Sequence, residues 1–166
     1  MLNLNYGSLV FYKGRKNMIP ILDSKRQYAK IGAEVEKAVC EVLRSGQYIL
    51  GPNCKALETE LAKYIGCNYT VALNSGTDAL HLALRALDIG AGDEVITTPI
   101  TFAASANCAL YCGAKPVFAD INEETYNIDP ESIEKCITEK TKAVVAVDFT
   151  GQSVELDELI EHCKAN

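Results

Sequence analysis

Residues 72–87 read ALNSGTDALHLALRAL, a polar turn, Asn74-Ser-Gly-Thr-Asp78, set between a short apolar run and a helical stretch that is apolar on nearly every face. A turn that only reverses the chain sits between amphipathic elements, whereas this one opens a helix of interior character. A strand, a loop of glycine and hydroxyl residues and a helix in immediate succession bring backbone N–H groups and the positive end of a helix dipole to one point, which favours an anion. Gly76 lets the backbone approach closely, Ser75 and Thr77 supply hydroxyls, and Asp78 either caps the helix or serves a neighbour. The plainer alternative is a simple Ser or Thr N-cap, and the turn alone does not choose between the two. It is not a P-loop, because no Gly-Lys-Thr follows, nor a dinucleotide fingerprint; Gly90-Ala-Gly92-Asp93 precedes a strand and reads as a plain connection.

On the N-terminal side of the turn, Ile31, Val35, Ala38, Val39, Val42 and Leu43 recur at helical spacing and predict a helix over 30–44, ended by Ser45-Gly46. Tyr48-Ile-Leu-Gly-Pro52 reads as a loop. A second amphipathic helix follows over about 54–65, with Leu57, Leu61 and Ile65 inward and Gly66 as its stop. Beyond residue 68 the pattern alternates. Apolar runs at 69–73, 94–97, 116–119 and 143–147 are each followed by a helical stretch, at 77–88, 102–112, from Pro130 and from about 155. Four strand–helix units predict an α/β fold, a parallel sheet with helices on both faces and right-handed crossovers. One boundary is specified in detail: Asp129 caps, Pro130 takes the first helical position, and Ile128 staples onto Ile133. The final helix has no strand after it, so the alternation leads us to expect the first part of a longer protein.

With 166 residues, 48% hydrophobic and 23% charged, the sequence has globular composition and enough apolar material for a sizeable core. A net charge of -6 and an isoelectric point near 5.0 argue against nucleic acid, which needs a clustered basic face. Seven cysteines, an odd number with no secretory leader, read as reduced cytosolic thiols, and a cytoplasmic location is expected. Cys108 and Cys112 lie one helical turn apart, but with only His81 and His162 elsewhere they read as buried thiols, and no metal is expected. No apolar run reaches the roughly 20 residues of a membrane span. Residues 1–17, MLNLNYGSLVFYKGRKN, do not resemble a signal peptide; they read as an extension or a misassigned start, with the coherent pattern beginning at Met18.

Several segments fit one family. GQYILGP at 46–52, NSGTDALHLALRAL at 74–87, GAGDEVITTPITFAASANCALYCGAKPVFADI at 90–121 and VVAVDFTGQ at 144–152 resemble the N-terminal half of the DegT/DnrJ/EryC1/StrS family. These are fold type I, pyridoxal-phosphate-dependent sugar aminotransferases, and the similarity runs in order from about Met18 to the last residue. The stretch from Ile96 to Ile121 is similar in flavour to enzymes that aminate a UDP-linked 4-keto-6-deoxy sugar, as in pseudaminic acid synthesis.

The resemblance implies the N-terminal part of a fold type I large domain over 18–166, and a pyridoxal 5'-phosphate cofactor. It implies that Ser75, Gly76 and Thr77 hold the cofactor phosphate and that Phe102 lies on the face of the pyridine ring; the alternative for Phe102 is an ordinary core aromatic at a helix start. Gln152 closes the loop after the fourth predicted strand, at the ligand-bearing carboxyl edge, where it contacts cofactor or substrate or serves the turn itself. Tyr48 meets substrate or a partner subunit, or packs its loop.

The cofactor's chemistry calls for a Schiff-base lysine and a carboxylate that keeps the pyridine nitrogen protonated. The resemblance places both beyond Asn166, so no catalytic residue is assigned, and Lys115, Lys140 and Lys142 read as solvated flanking residues. The implied partners are a nucleotide-linked keto sugar and an amino-acid donor, glutamate foremost, with a homodimer at full length. The isolated chain is expected to be inactive and to associate through unpaired sheet edges. Two other functions stand beside the aminotransferase: a sugar dehydratase of the same family, with histidine in place of the lysine, and a catalytically silent phosphate-binding or interaction module.

Overall fold

The computed structural model describes Pro20 and residues 22–165, so the expectation for residues 1–17 lies outside the described residues. The chain divides into two compact units, at the Thr70–Val71 junction.

The first unit contains α1 (Ser24–Ser45) and α2 (Pro52–Ile65). Asp23 caps α1 by accepting from the Arg26 N–H at 3.0 Å, and Gly46 ends it in the left-handed region. Pro52 stands in the first turn of α2, where its missing N–H is no loss, and Gly66 closes that helix with its N–H on the Ala62 carbonyl. Both helices fall where helical spacing predicts. Their apolar stripes do not become a core: Ile31, Val35, Val39, Leu43, Leu57, Leu61 and Ile65 are all exposed. The one buried residue of α1 is Gly32, over which the Tyr28 ring folds, with Tyr28 donating its hydroxyl hydrogen to Glu36.

The second unit is the α/β body. It runs α3 (Gly76–Ala86), β1 (Glu94–Thr97), α4 (Ala104–Tyr111), β2 (Lys115–Phe118), α5 (Pro130–Cys136), β3 (Thr141–Val145), a short 3-10 turn (Phe149–Gly151) and α6 (Leu156–Ala165). The strands form a parallel sheet in the order β2-β1-β3, with Ile96 opposite Val117 on one side and Val144 on the other. β1 is central and buried along its whole length. β2 is an edge strand, and Pro116 is tolerated in it because an edge leaves one row of N–H groups unpaired.

The alternation of β1 sorts the core into two layers. Val95, with Val145 and Ala143, meets Leu84 of α3 and Cys108, Ala109 and Cys112 of α4 on one face. Ile96, with Val117, Val144 and Ala146, meets Ile133 of α5 and Leu159 of α6 on the other. Right-handed crossovers produce this division, because the step from β1 to β2 and the return past β1 to β3 run in opposite directions across the sheet. The α5 boundary forms as predicted: the Asp129 carboxylate accepts from the Glu131 N–H, and Ile128 and Ile133 share one core.

Two expectations are corrected. The run 69–73 forms no strand. Thr70 instead donates to the Glu58 carbonyl at 2.6 Å, Tyr69 and Val71 stand exposed, and β propensity makes a strand only where a neighbouring ladder takes it up, which none of β1, β2 and β3 does here. Three strand–helix units therefore replace four. Helix α3 is also less interior than its composition suggests: Leu84 is buried and Leu80 packs beside it, but Leu82 is exposed, because the helix covers the sheet with one stripe only.

Candidate functional site

In a parallel sheet the ligand-bearing edge is the carboxyl one, at the place where successive connections leave for opposite faces. Here that place lies between β1 and β3. The chain leaves β1 towards α4 on one face and leaves β3 towards α6 on the other. The β1 and β3 exits are tied beneath this gap by the buried Thr97 hydroxyl, which donates to the Val145 carbonyl at 2.9 Å.

Phe102 belongs to the β1 exit. It lies two residues before α4 rather than within a helix, and at 79% exposure it is not a core aromatic. The turn that presents it is internally satisfied: the Ile100 N–H donates to the Thr98 hydroxyl at 3.2 Å, and Thr101 and Ser105 share a hydroxyl–hydroxyl bond at 2.8 Å. Gln152 belongs to the β3 exit, and its side chain is exposed.

Ser75, Gly76 and Thr77 form the amino end of α3. This helix packs on α4, and its far end leads through residues 87–93 into the start of β1, so it runs against the strands and turns its amino end towards their carboxyl edge. Ser75 is the N-cap, as one of the two sequence readings holds: its hydroxyl oxygen accepts from the Asp78 N–H at 3.1 Å. Its hydrogen goes to the Asp78 carboxylate at 2.9 Å, which Asn74 also approaches, so Asp78 serves its neighbours rather than a ligand. The Ala79 N–H closes on the Ser75 carbonyl. Of the four amino-terminal N–H groups that this helix leaves over, Ser75 to Asp78, only that of Asp78 has a side-chain acceptor among the described residues, so those of Gly76 and Thr77 remain. A Cβ built on Gly76 would meet nothing within 4 Å, so there is open space beside the first residue of α3. Two unspent N–H groups, the Thr77 hydroxyl, the dipole and open space fit a phosphate group.

Tyr48 lies in the first unit, and the structure describes it there by itself. It is 65% exposed, and its hydroxyl donates to the Leu43 carbonyl at 3.0 Å. Its loop lines a hollow of about 630 Å³ together with Gln47, Leu50, Pro52 and Lys55.

Two residues of the α/β body escaped sequence reasoning. Asn127 is buried, and its side chain binds the backbone of the β3 exit loop at Phe149, Gln152 and Ser153. The sequence shows Asn127 only as a residue two positions before the Asp129 helix cap; its partners lie 22 to 26 positions away, where no local pattern reaches. Glu94 stands at the opposite, amino end of β1, where Lys115 and Thr138 donate to its carboxylate at 2.9 and 2.7 Å. Those bonds hold its pKa below the ordinary glutamate range. The two cysteines read as buried thiols are buried, and burial pushes the Cys108 pKa up. Among the described residues, no helix is long and apolar enough to cross a membrane.

The chain is similar to proteins of one known family. The model of the DegT/DnrJ/EryC1/StrS aminotransferase family matches residues 29–166. The UDP-2-acetamido-2-deoxy-3-oxo-D-glucuronate aminotransferase of Pseudomonas aeruginosa is 44% identical over 140 residues, 84% of this chain and 39% of that protein. The spore coat polysaccharide biosynthesis protein SpsC of Bacillus subtilis is 50% identical over 130 residues, 78% of this chain and 33% of its own length. The chain thus spans between a third and two fifths of these relatives. Among solved structures, S. venezuelae DesV superposes with a TM-score of 0.86 at 41% identity, covering 89% of this chain and 40% of its own. NtdA from Bacillus subtilis, solved with bound cofactor PMP, superposes at 0.85 and 31% identity, covering 93% of this chain and 36% of its own. This chain belongs to the DegT/DnrJ/EryC1/StrS aminotransferase family.

Proposed function

We propose that this chain supplies the cofactor-binding part of a pyridoxal-phosphate-dependent aminotransferase that transfers an amino group from glutamate to the keto carbon of a nucleotide-linked sugar. The observation that carries the reading is the open amino end of α3, with unspent N–H groups at Gly76 and Thr77 in a chain of this family. The sugar-nucleotide activities named for the relatives from Pseudomonas aeruginosa and Streptomyces venezuelae, the latter a dTDP-3-amino-3,4,6-trideoxy-alpha-D-glucose transaminase, support the substrate class.

In this reading the Gly76 and Thr77 N–H groups and the Thr77 hydroxyl hold the cofactor phosphate. They need no rearrangement to do so, because Ser75 and Asp78 satisfy one another and keep the first turn fixed. The Asp78 charge is held by the Ser75 hydroxyl and Asn74. Phe102 offers an exposed ring face at the β1 exit for stacking on the pyridine ring, and Gln152 offers a carboxamide from the β3 exit to the cofactor. Tyr48 belongs to a separate loop and contacts the sugar substrate or a partner subunit in the homodimer we propose for the whole enzyme. When bound, the cofactor supplies the electron sink that makes amino transfer possible.

The experiment is a single-turnover assay: the whole enzyme, loaded with pyridoxamine phosphate, is mixed with UDP- and dTDP-linked keto sugars and the products are weighed by mass spectrometry. An amino sugar is the expected product. An unsaturated or deoxygenated sugar would make the protein a dehydratase of the same family, and cofactor binding without turnover of any sugar would leave a binding module.

A further inference from the structure

The loop that carries Gln152 is held only in part by its own residues. Thr150, at φ 55, and Gly151, at φ 89, both stand in the left-handed region, and for threonine that conformation is costly unless the surroundings impose it. Within the loop, Asp148 secures the far end by accepting from the Val154 N–H at 3.0 Å, and two local backbone bonds close the 3-10 turn. The remaining restraint comes from the segment between β2 and α5.

Asn127, 5% exposed, spends its whole carboxamide on this loop. Its Nδ2 donates to the Gln152 carbonyl at 3.1 Å and to the Ser153 carbonyl at 3.0 Å, and its Oδ1 accepts from the Phe149 N–H at 3.1 Å. Next to it the Tyr126 ring lies against the Phe149 ring, with centroids 6.1 Å apart. Asn127 is itself fixed at both backbone ends: its N–H donates to the Thr125 hydroxyl and its carbonyl accepts from the Asn122 N–H. Only a primary amide fits all three loop partners. An acid of the same shape would set a carboxylate against two carbonyls, and an aliphatic residue would leave those carbonyls and one N–H unpaired in a buried place.

We propose that Asn127 is the positioning residue of the cofactor-facing loop: its buried carboxamide fixes the backbone at Phe149, Gln152 and Ser153, and so aims the Gln152 side chain at the cofactor. The inference rests on the reading of Gln152 given above.

The test is a double-mutant cycle read by pyridoxal phosphate titration, with Asn127→Asp, Gln152→Ala and the double variant against the parent. If Asn127 acts through Gln152, each single variant weakens cofactor binding by about tenfold and the double variant is no weaker than either. Inorganic phosphate, which seats at the α3 turn, still competes as well as in the parent. A merely structural role predicts instead that phosphate binding falls with cofactor binding. If Gln152→Ala leaves binding unchanged, the reading of Gln152 fails and takes the proposal with it. If Gln152→Ala weakens binding but Asn127→Asp leaves it intact or adds to it independently, the reading of Gln152 stands and the proposal alone falls. Should Asn127→Asp not fold, Asn127→Ser removes the carboxamide without placing a charge beside the carbonyls and carries the same comparison.

Discussion

The two ends of the sheet treat their polar groups in opposite ways. At the amino end of β1, the Glu94 carboxylate takes hydrogen bonds from Lys115 and Thr138, and the polar side chains there answer one another. At the carboxyl end the buried groups are also answered, as Thr97 is by Val145, but the outermost ones are not: the Gly76 and Thr77 N–H groups have no side-chain acceptor among the described residues, and Phe102 and Gln152 stand exposed. An end whose polar groups are mutually satisfied stabilises the fold. An end that keeps donors unspent on a rigid base has a use for a ligand. The prediction that follows is a separation of effects: changes at one end should move stability and leave binding alone, and changes at the outer carboxyl end should do the reverse.

The middle of β1 sets the scale for both. Ile96 is wholly buried, and Ile96→Ala should lower unfolding free energy by about 2–5 kcal/mol in a urea melt, by loss of transfer energy and the cavity left behind. A smaller loss would mean that the layer around Ile133 and Leu159 collapses into the gap.

Gly76→Ala should separate the two properties. The backbone there needs no positive φ, and a methyl group meets nothing, so the melting temperature should hold or rise slightly. The same methyl enters the space assigned to phosphate, and pyridoxal phosphate affinity should fall by about tenfold in a fluorescence titration. Unchanged affinity would mean that the space beside Gly76 holds no phosphate.

Ser75→Ala should sharpen it. Losing the cap on the Asp78 N–H costs about 1 kcal/mol of stability and releases the Asp78 carboxylate beside the phosphate seat, so stability and affinity should fall together, unlike the Gly76 variant.

The smallest effect is expected at the amino end. The Glu94 pKa is depressed by the Lys115 and Thr138 hydrogen bonds. Its contribution is therefore complete above the ordinary glutamate range and is lost as pH falls through the lower, folded value. Urea melts across acidic pH should show a shallower decline for Glu94→Gln than for the parent, with no change in cofactor affinity at neutral pH. A parallel decline would remove Glu94 from the account.

Much of this was legible in the sequence, for reasons that particular elements make plain. Helix ends were readable where the chemistry is local: Asp129 with Pro130, and Gly46 and Gly66 beyond the last turns of α1 and α2. The Ser75 cap that opens α3 was readable for the same reason. The run 69–73 was misread because a strand is a relation between segments, and nothing within Tyr69 to Leu73 says whether a partner lies alongside. Asn127 was invisible as a clamp because its three bonds span the whole of α5 and β3. The exposed stripes of α1 and α2 make a related point. Spacing shows which residues share a face but not what, if anything, that face meets.

The amino end of α3 is the phosphate seat we propose for the cofactor. The most direct measurement titrates the protein with pyridoxal phosphate and, separately, with pyridoxal, which lacks the phosphate, and repeats both with inorganic phosphate present. The expected result is saturable binding of pyridoxal phosphate that inorganic phosphate reverses, and binding of pyridoxal weaker by at least about tenfold. Equal binding of the two, indifferent to inorganic phosphate, would contradict it.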